Sequence, residues 1–259
     1  MSRKLIRDTD PGEFFVGYAE TPKVDRRYLL GLSVLGLGVA GGTGAFLAAR
    51  QGGAGLGSWD MGTHVGLTGY LSETPYPLLR TTGIDGTLRT VLLACDTKCG
   101  AQEKLAQASL SRDRVTVRGS LIQRGRHVMM AVANEEDWIT PDDTLPARLT
   151  GFAEEDLGTV TIHGEILDSK CWFGAMRPNE GAGHKACAML CIAGGLPPYF
   201  YARDALGRSR AMMLTDPDGE ALVQPILRYV ADPVRVTGRV HRIEDLLQLR
   251  LNPDDLVRL

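Results

Sequence analysis

The chain has 259 residues, 44% hydrophobic and 23% charged, with 29 Lys+Arg against 31 Asp+Glu and a net charge of −2. That length admits one large or two small domains. A nearly neutral chain lacks the basic excess that phosphate backbones require, so nucleic acid is excluded as a partner.

From the N-terminus, the first strong signal is residues 28–49, apolar apart from Ser33 and Thr43, with no charge before Arg50. The run is long enough to cross a bilayer as a helix. Its six glycines would weaken a soluble core helix and are common in membrane helices. Lys23, Arg26 and Arg27 precede it against a single Arg50 after it, which orients residues 1–27 as a cytoplasmic tail and sends the rest outside. The expected location is therefore a bacterial inner membrane, single pass, with the C-terminal domains in the periplasm. Arg26 and Arg27, one position before Leu29 and Leu30, also resemble a twin-arginine export signal; the plainer reading is a positive flank. Residues 45–49 offer no A-x-A cleavage site, so the helix is expected to stay as an anchor. Residues 12–18, apolar and aromatic, read as a partner contact, an interfacial stretch or a disordered tail. Residues 50–62 open glycine-rich and read as a tether.

The body is a duplication. Asp113, Val115, Val117, Gly119 and Leu121 match Asp232, Val234, Val236, Gly238 and Val240, and upstream Val65, Leu67, Gly69 and Leu71 match Val160, Ile162, Gly164 and Ile166. Each copy reads strand, loop, two strands, a helical stretch (102–110; 220–230) and two closing strands. The alternation suits a sheet with one buried face. Five strands with a helix between the third and fourth resemble an OB-fold, and the glycines at 69, 119, 164 and 238 sit where a strand must coil to close such a barrel. The expected fold is mainly β: two tandem OB-fold-like barrels, 63–134 and 159–259, joined by a linker at 135–158, behind the single N-terminal transmembrane helix.

Only the second copy carries an insertion, residues 168–197, where the first copy has a short link at 73–75. It holds Asp168, Cys171, His184, Cys187 and Cys191. On a helix, the spacing H-x2-C-x3-C would put His184, Cys187 and Cys191 on one side, and Cys171 would complete a four-ligand metal site. Three cysteines and a histidine suit zinc, reduced copper or an iron-sulfur cluster. His163 is an alternative nitrogen ligand, and Asp168 either accepts a hydrogen bond from a ligating histidine or is a turn residue. The competing expectation follows from the oxidising compartment: Cys171 pairs with Cys187 or Cys191 as a structural disulfide, no cofactor is bound, and one thiol is left over. Cys95 and Cys99 in the first copy read as a local disulfide or a free pair; a sharper alternative has them share a four-thiolate site with Cys187 and Cys191. No C-x-x-C-H, thioredoxin-type C-x-x-C, H-E-x-x-H, P-loop or G-x-S-x-G motif occurs, so no catalytic residue is assigned.

The motif of Asp168, Cys171, His184, Cys187, Ala188, Cys191, Gly195 and Pro197 resembles a set of small exported bacterial OB-like proteins that carries no firm activity. The resemblance covers residues 159–259 and implies a shared site without implying a reaction. The layout of anchor and tether is similar to that of membrane-held electron-transfer subunits such as Rieske proteins, without their Cys-x-His and Cys-x-x-His boxes. Together these readings lead to an accessory or electron-transfer subunit of a membrane respiratory or oxidoreductase complex, with other subunits as partners. The alternatives are a stand-alone copper- or haem-handling protein using Met176 and Met189, a thiol-disulfide exchanger, or a disulfide-stapled assembly subunit.

Overall fold

The computed structural model describes residues 23–50, 55–83, 86–108, 110, 113–146, 153–203 and 209–259, with side chains of the N-terminal helix described through Val39. Residues 12–18 and most of the tail therefore lie outside the described residues. The chain divides into two units, Met1–Gln51 and Gly52–Leu259.

The first unit contains helix α1 (Lys23–Arg50). Arg26 and Arg27 fall in its first turns, and the described apolar side chains, Leu29, Leu30, Val34, Leu35 and Leu37 among them, are all exposed. Among the described residues no helix is long and apolar enough to cross a membrane; the second half of the expected span, residues 40–49, falls where side chains are not described.

The second unit contains both barrels. Its strands are β1 (Ser58–Trp59), β2 (Val65–Ser72), β3 (Leu78–Thr82), β4 (Leu88–Ala94), β5 (Arg114–Arg124), β6 (His127–Val132) and β7 (Ile139–Pro141), then β8 (Glu154–Asp168), β9 (Pro198–Arg203), β10 (Ser209–Thr215), β11 (Val234–Ile243), β12 (Leu246–Arg250) and β13 (Val257–Arg258). In the first barrel β5-β2-β3-β4-β6 run in order and β6 returns to β5; β4 and β6 are parallel and all other neighbours antiparallel. In the second, β11-β8-β9-β10-β12 close in the same way, with β10 parallel to β12. This is the expected five-stranded OB topology, twice. The repeated glycines explain its closure. A Cβ on Gly69 or Gly164 would fall 2.3 Å from a carbonyl oxygen of the next strand, and one on Gly119 or Gly238 would strike the last strand of its barrel in the same manner. Only glycine allows backbones to approach so closely where a strand coils.

The two copies differ between their third and fourth strands. The first has helix α2 (Gln102–Ala108), as expected. The second has only a 3-10 segment, Gln224–Tyr229, because Pro225 removes a donor and disfavours helical geometry at the residue before it. The outer segments are also better tied down than composition implies. Within the tether, Trp59 pairs with Ile122 and donates from Nε1 to Ser120 Oγ at 2.8 Å; residues 51–54 lie outside the described residues. Within the linker, Trp138 is buried in the first barrel and β7 pairs with β5, while β8 already begins at Glu154.

Each barrel has its own interior, Leu79, Leu93 and Met130 in one and Ile166, Phe200 and Leu214 in the other. A third core lies between them, joining Tyr76, Leu78, Leu92, Ile122 and Met129 of the first barrel to Trp172, Phe173, Tyr199, Met213 and Leu246 of the second. Strands β4, β6, β9 and β10 accordingly have consecutive buried residues rather than alternate ones, as strands covered on both faces do. Polar ties cross the same layer: Tyr76 Oη accepts from Leu222 N at 2.8 Å, and Thr90 N and Oγ1 donate to the Asp245 carboxylate at 3.0 and 2.6 Å.

His127, at the edge of this core, stands against the rings of Trp172, Phe173 and Tyr199 with centroids 5.2–5.8 Å apart in the cluster. Burial, aided by the positive charges of Arg126 and Arg124, lowers its pKa to about 4. The unfolded chain takes up this proton near pH 6.5, so the neutral ring contributes stability that is fully present above about pH 6.5 and is lost as pH falls towards 4. Urea unfolding at pH 7 and pH 4.5 should show wild type losing on the order of 2 kcal/mol more than His127→Phe; equal losses would show that the ring is not held neutral.

Candidate metal centre

The insertion after β8 begins with a tight turn, Cys171–Ala175, and ends with helix α3 (Lys185–Ala193). Cys187 and Cys191 lie four residues apart on α3, hence on one side of it. His184 closes the preceding 3-10 turn, Ala182–His184, and stands just before α3 rather than on it, so the expectation of three ligands on one helix holds for the two cysteines only. Gly194 and Gly195 terminate α3, Gly195 with a φ of +92°.

The three thiols converge. The sulfurs of Cys171, Cys187 and Cys191 lie within 4.8 Å of one another, with Cys171 and Cys191 buried and Cys187 half-buried. Asp168, Cys171 and His184 form a second grouping of ligand atoms within 4.8 Å, all three buried. Cys171 is common to both. His184 Nε2 is 2.8 Å from Asp168 Oδ2, and Asp168 Oδ1 accepts from Cys171 N at 2.8 Å. Asp168 thus contacts the histidine and also fixes the turn that presents Cys171, combining the two roles that the sequence left open for it. His163 lies on β8 outside both groupings. Met176 Sδ is 3.7 Å from Cys187 Sγ, whereas Met189 packs against the second barrel's interior.

Cys95 and Cys99 form a disulfide with each other, which removes the shared four-thiolate alternative. Their hairpin nevertheless reaches the site by a route that the sequence reading missed. Lys98, between the two cysteines, donates from Nζ to Cys187 Sγ at 2.7 Å. From the other side Lys170, 3% exposed, donates to the carbonyls of Cys95 and Thr97 at 2.6 and 2.8 Å, and its ammonium lies 4.8 Å from the centroid of the Trp59 ring. The hairpin is seated directly on the end of α3: Gly100 N donates to Gly194 O at 2.9 Å, and a Cβ on Gly194 would fall 2.1 Å from Lys98 O. The signal for Lys98 was its position inside C-x-x-K-C, but only the packing of the barrels directs it to the thiols.

The electrostatics follow from these contacts. The hydrogen bond to Cys187, before any other influence, raises the pKa of Lys98. Burial lowers that of Lys170 to about 8 against the pull of the nearby acidic groups. Between the two innermost thiols, the hydrogen bond from Cys171 favours Cys191 as the thiolate, and the same bond together with burial holds Cys171 protonated. Chemically, this is a pocket of three soft donors with a thioether at its edge and two cations beside it, an arrangement able to hold a thiophilic ion or to form a disulfide.

No known protein family, curated protein or solved structure matches the chain. The reading of the site therefore rests on its geometry.

Removing the Asp168 carboxylate orphans both Cys171 N and His184. Asp168→Ala should cost about 2–4 kcal/mol in denaturant unfolding. His184→Ala should cost less, and the double variant should fall short of the sum by at least about 1 kcal/mol. Strict additivity would mean that the pair does not act as one brace.

Proposed function

We propose that this chain is an exported, membrane-held subunit that binds one soft metal ion through Cys171, Cys187 and Cys191. The single observation that carries the reading is the convergence of three unpaired sulfurs within 4.8 Å in a chain whose other two cysteines are already joined. Three thiolates with a methionine at the rim suit reduced copper above zinc, because Cu(I) favours soft sulfur donors at low coordination number. Lys98 and Lys170 offset the negative charge that such a site gathers. Asp168 and His184 hold the Cys171 turn, so His184 acts by positioning in this reading.

The exported location is supported by the Cys95–Cys99 disulfide, which persists in oxidising compartments, and by Lys23, Arg26 and Arg27 before the apolar residues 28–49. The exposed leucines and valines on the described part of α1 need a covering that lipid would supply. In this reading the chain is an accessory or electron-transfer subunit of a membrane oxidoreductase complex, presenting two fused barrels and a thiolate-held metal outside the membrane. A second reading, thiol-disulfide exchange, draws on the 4.0 Å separation of the Cys171 and Cys187 sulfurs.

Metal content and free-thiol count on the full chain, purified from membranes of the exporting host, test the proposal. About one copper or zinc per chain is expected, lost in Cys187→Ser and retained, with weaker affinity, in His184→Gln. Absence of metal together with a single free thiol would contradict metal binding and leave the disulfide chemistry in its place.

A further inference from the structure

A second site lies beside Trp172, in a crevice of about 310 Å³ between the β5–β6 turn of the first barrel and strands β9, β10 and β12 of the second. We propose that this crevice binds a small monocarboxylate carried on a flat apolar body. The volume sits at the lower end of the small-molecule range, enough for one ring.

Four observations converge on that chemistry. Trp172 lines the crevice, is 1% exposed and has an indole Nε1 with no hydrogen-bond partner among the described residues; a buried donor without an acceptor costs free energy that an incoming oxygen would recover. Arg126 and Arg210 also line it, and the bonds they make go to backbone carbonyls, those of Asp245 and Ser209. Each keeps guanidinium donors for a carboxylate, which arginine receives in a two-pronged geometry. The carboxylate at the crevice, Asp245, is already engaged by Thr90 N and Oγ1, and Arg124, which stacks on Trp172 at 4.2 Å from the ring centroid, has its own partner in Glu180 at 3.4 Å, so Arg126 and Arg210 are the cations left to face a ligand. The walls are aromatic: Trp172 and Tyr201 have centroids 5.3 Å apart, and His127 stands 5.3 Å from Trp172. An inorganic anion would satisfy the donors and make no use of this aromatic lining, whereas a ring-bearing carboxylate meets both.

This inference is independent of the thiol site. Its test is equilibrium dialysis of the full chain against labelled benzoate, with benzyl alcohol and inorganic phosphate as competitors. The expected result is saturable binding of one benzoate per chain, unaffected by benzyl alcohol and displaced only weakly by phosphate. Arg210→Ala, at the exposed rim where the fold does not depend on it, should weaken binding at least about fivefold, and Trp172→Phe, which keeps a ring and deletes the donor, severalfold. No saturable binding, equal displacement by phosphate or by benzyl alcohol, or unchanged affinity in Arg210→Ala would each overturn the proposal.

Discussion

The water-excluded layer between the two barrels is the constraint on which the rest of the second unit depends. An OB barrel standing alone would alternate buried and exposed residues along each strand, as β11 does. Here β4, β6, β9 and β10 bury successive residues, because their outer faces meet in a core that includes Tyr76, Trp172, Phe173 and Tyr199. Burying aromatic side chains of that size is a large favourable contribution, and it leaves few positions in which the barrels could sit relative to each other. The tie of Tyr76 to Leu222 and of Thr90 to Asp245 then fixes the register of one barrel on the other.

That layer turns a surface insertion into a site. The loop after the first strand of an OB barrel usually faces solvent and binds partners. In this chain it is caught against the neighbouring barrel, so that Cys171 and Cys191 belong to the shared core while Cys187 stays at its edge. The first barrel supplies what the second lacks. Its disulfide-closed hairpin brings Lys98 to Cys187, and the second barrel answers with Lys170, whose ammonium is held by two carbonyls of that hairpin. A buried lysine is tolerated only when its donors are used, and here their use couples the hairpin to the turn that carries Cys171. The absence of a glycine at 194 would break this arrangement, since any side chain there meets Lys98 O.

Much of the fold was legible because it depends on local pattern: alternation in Val115, Val117 and Val234, Val236, and glycines at repeated positions where strands coil. The helix expected over 220–230 failed on Pro225, a residue whose consequence is itself local and could have been weighed. The interbarrel core was also written in the sequence, as the unalternated runs Val91–Ala94 and Ala211–Leu214, but a continuous apolar run does not say what will cover its second face. At the site, helical spacing was enough to bring Cys187 and Cys191 together, while the role of Asp168 stayed open between a partner for a histidine and a turn residue. Spacing could not reveal that His184 would be absorbed by Asp168 and that Lys98, 89 residues away from Cys187, would stand beside the thiols. Such contacts depend on how two domains dock, which no short motif encodes.

The central claim is that sulfur alone holds the metal. X-ray absorption at the copper edge of the full chain loaded with one equivalent of Cu(I) addresses it directly. The account predicts three sulfur neighbours at a single short distance and no imidazole scattering, with the spectrum unchanged in His184→Gln. A first shell containing nitrogen, or two sulfurs in a linear arrangement, would contradict it.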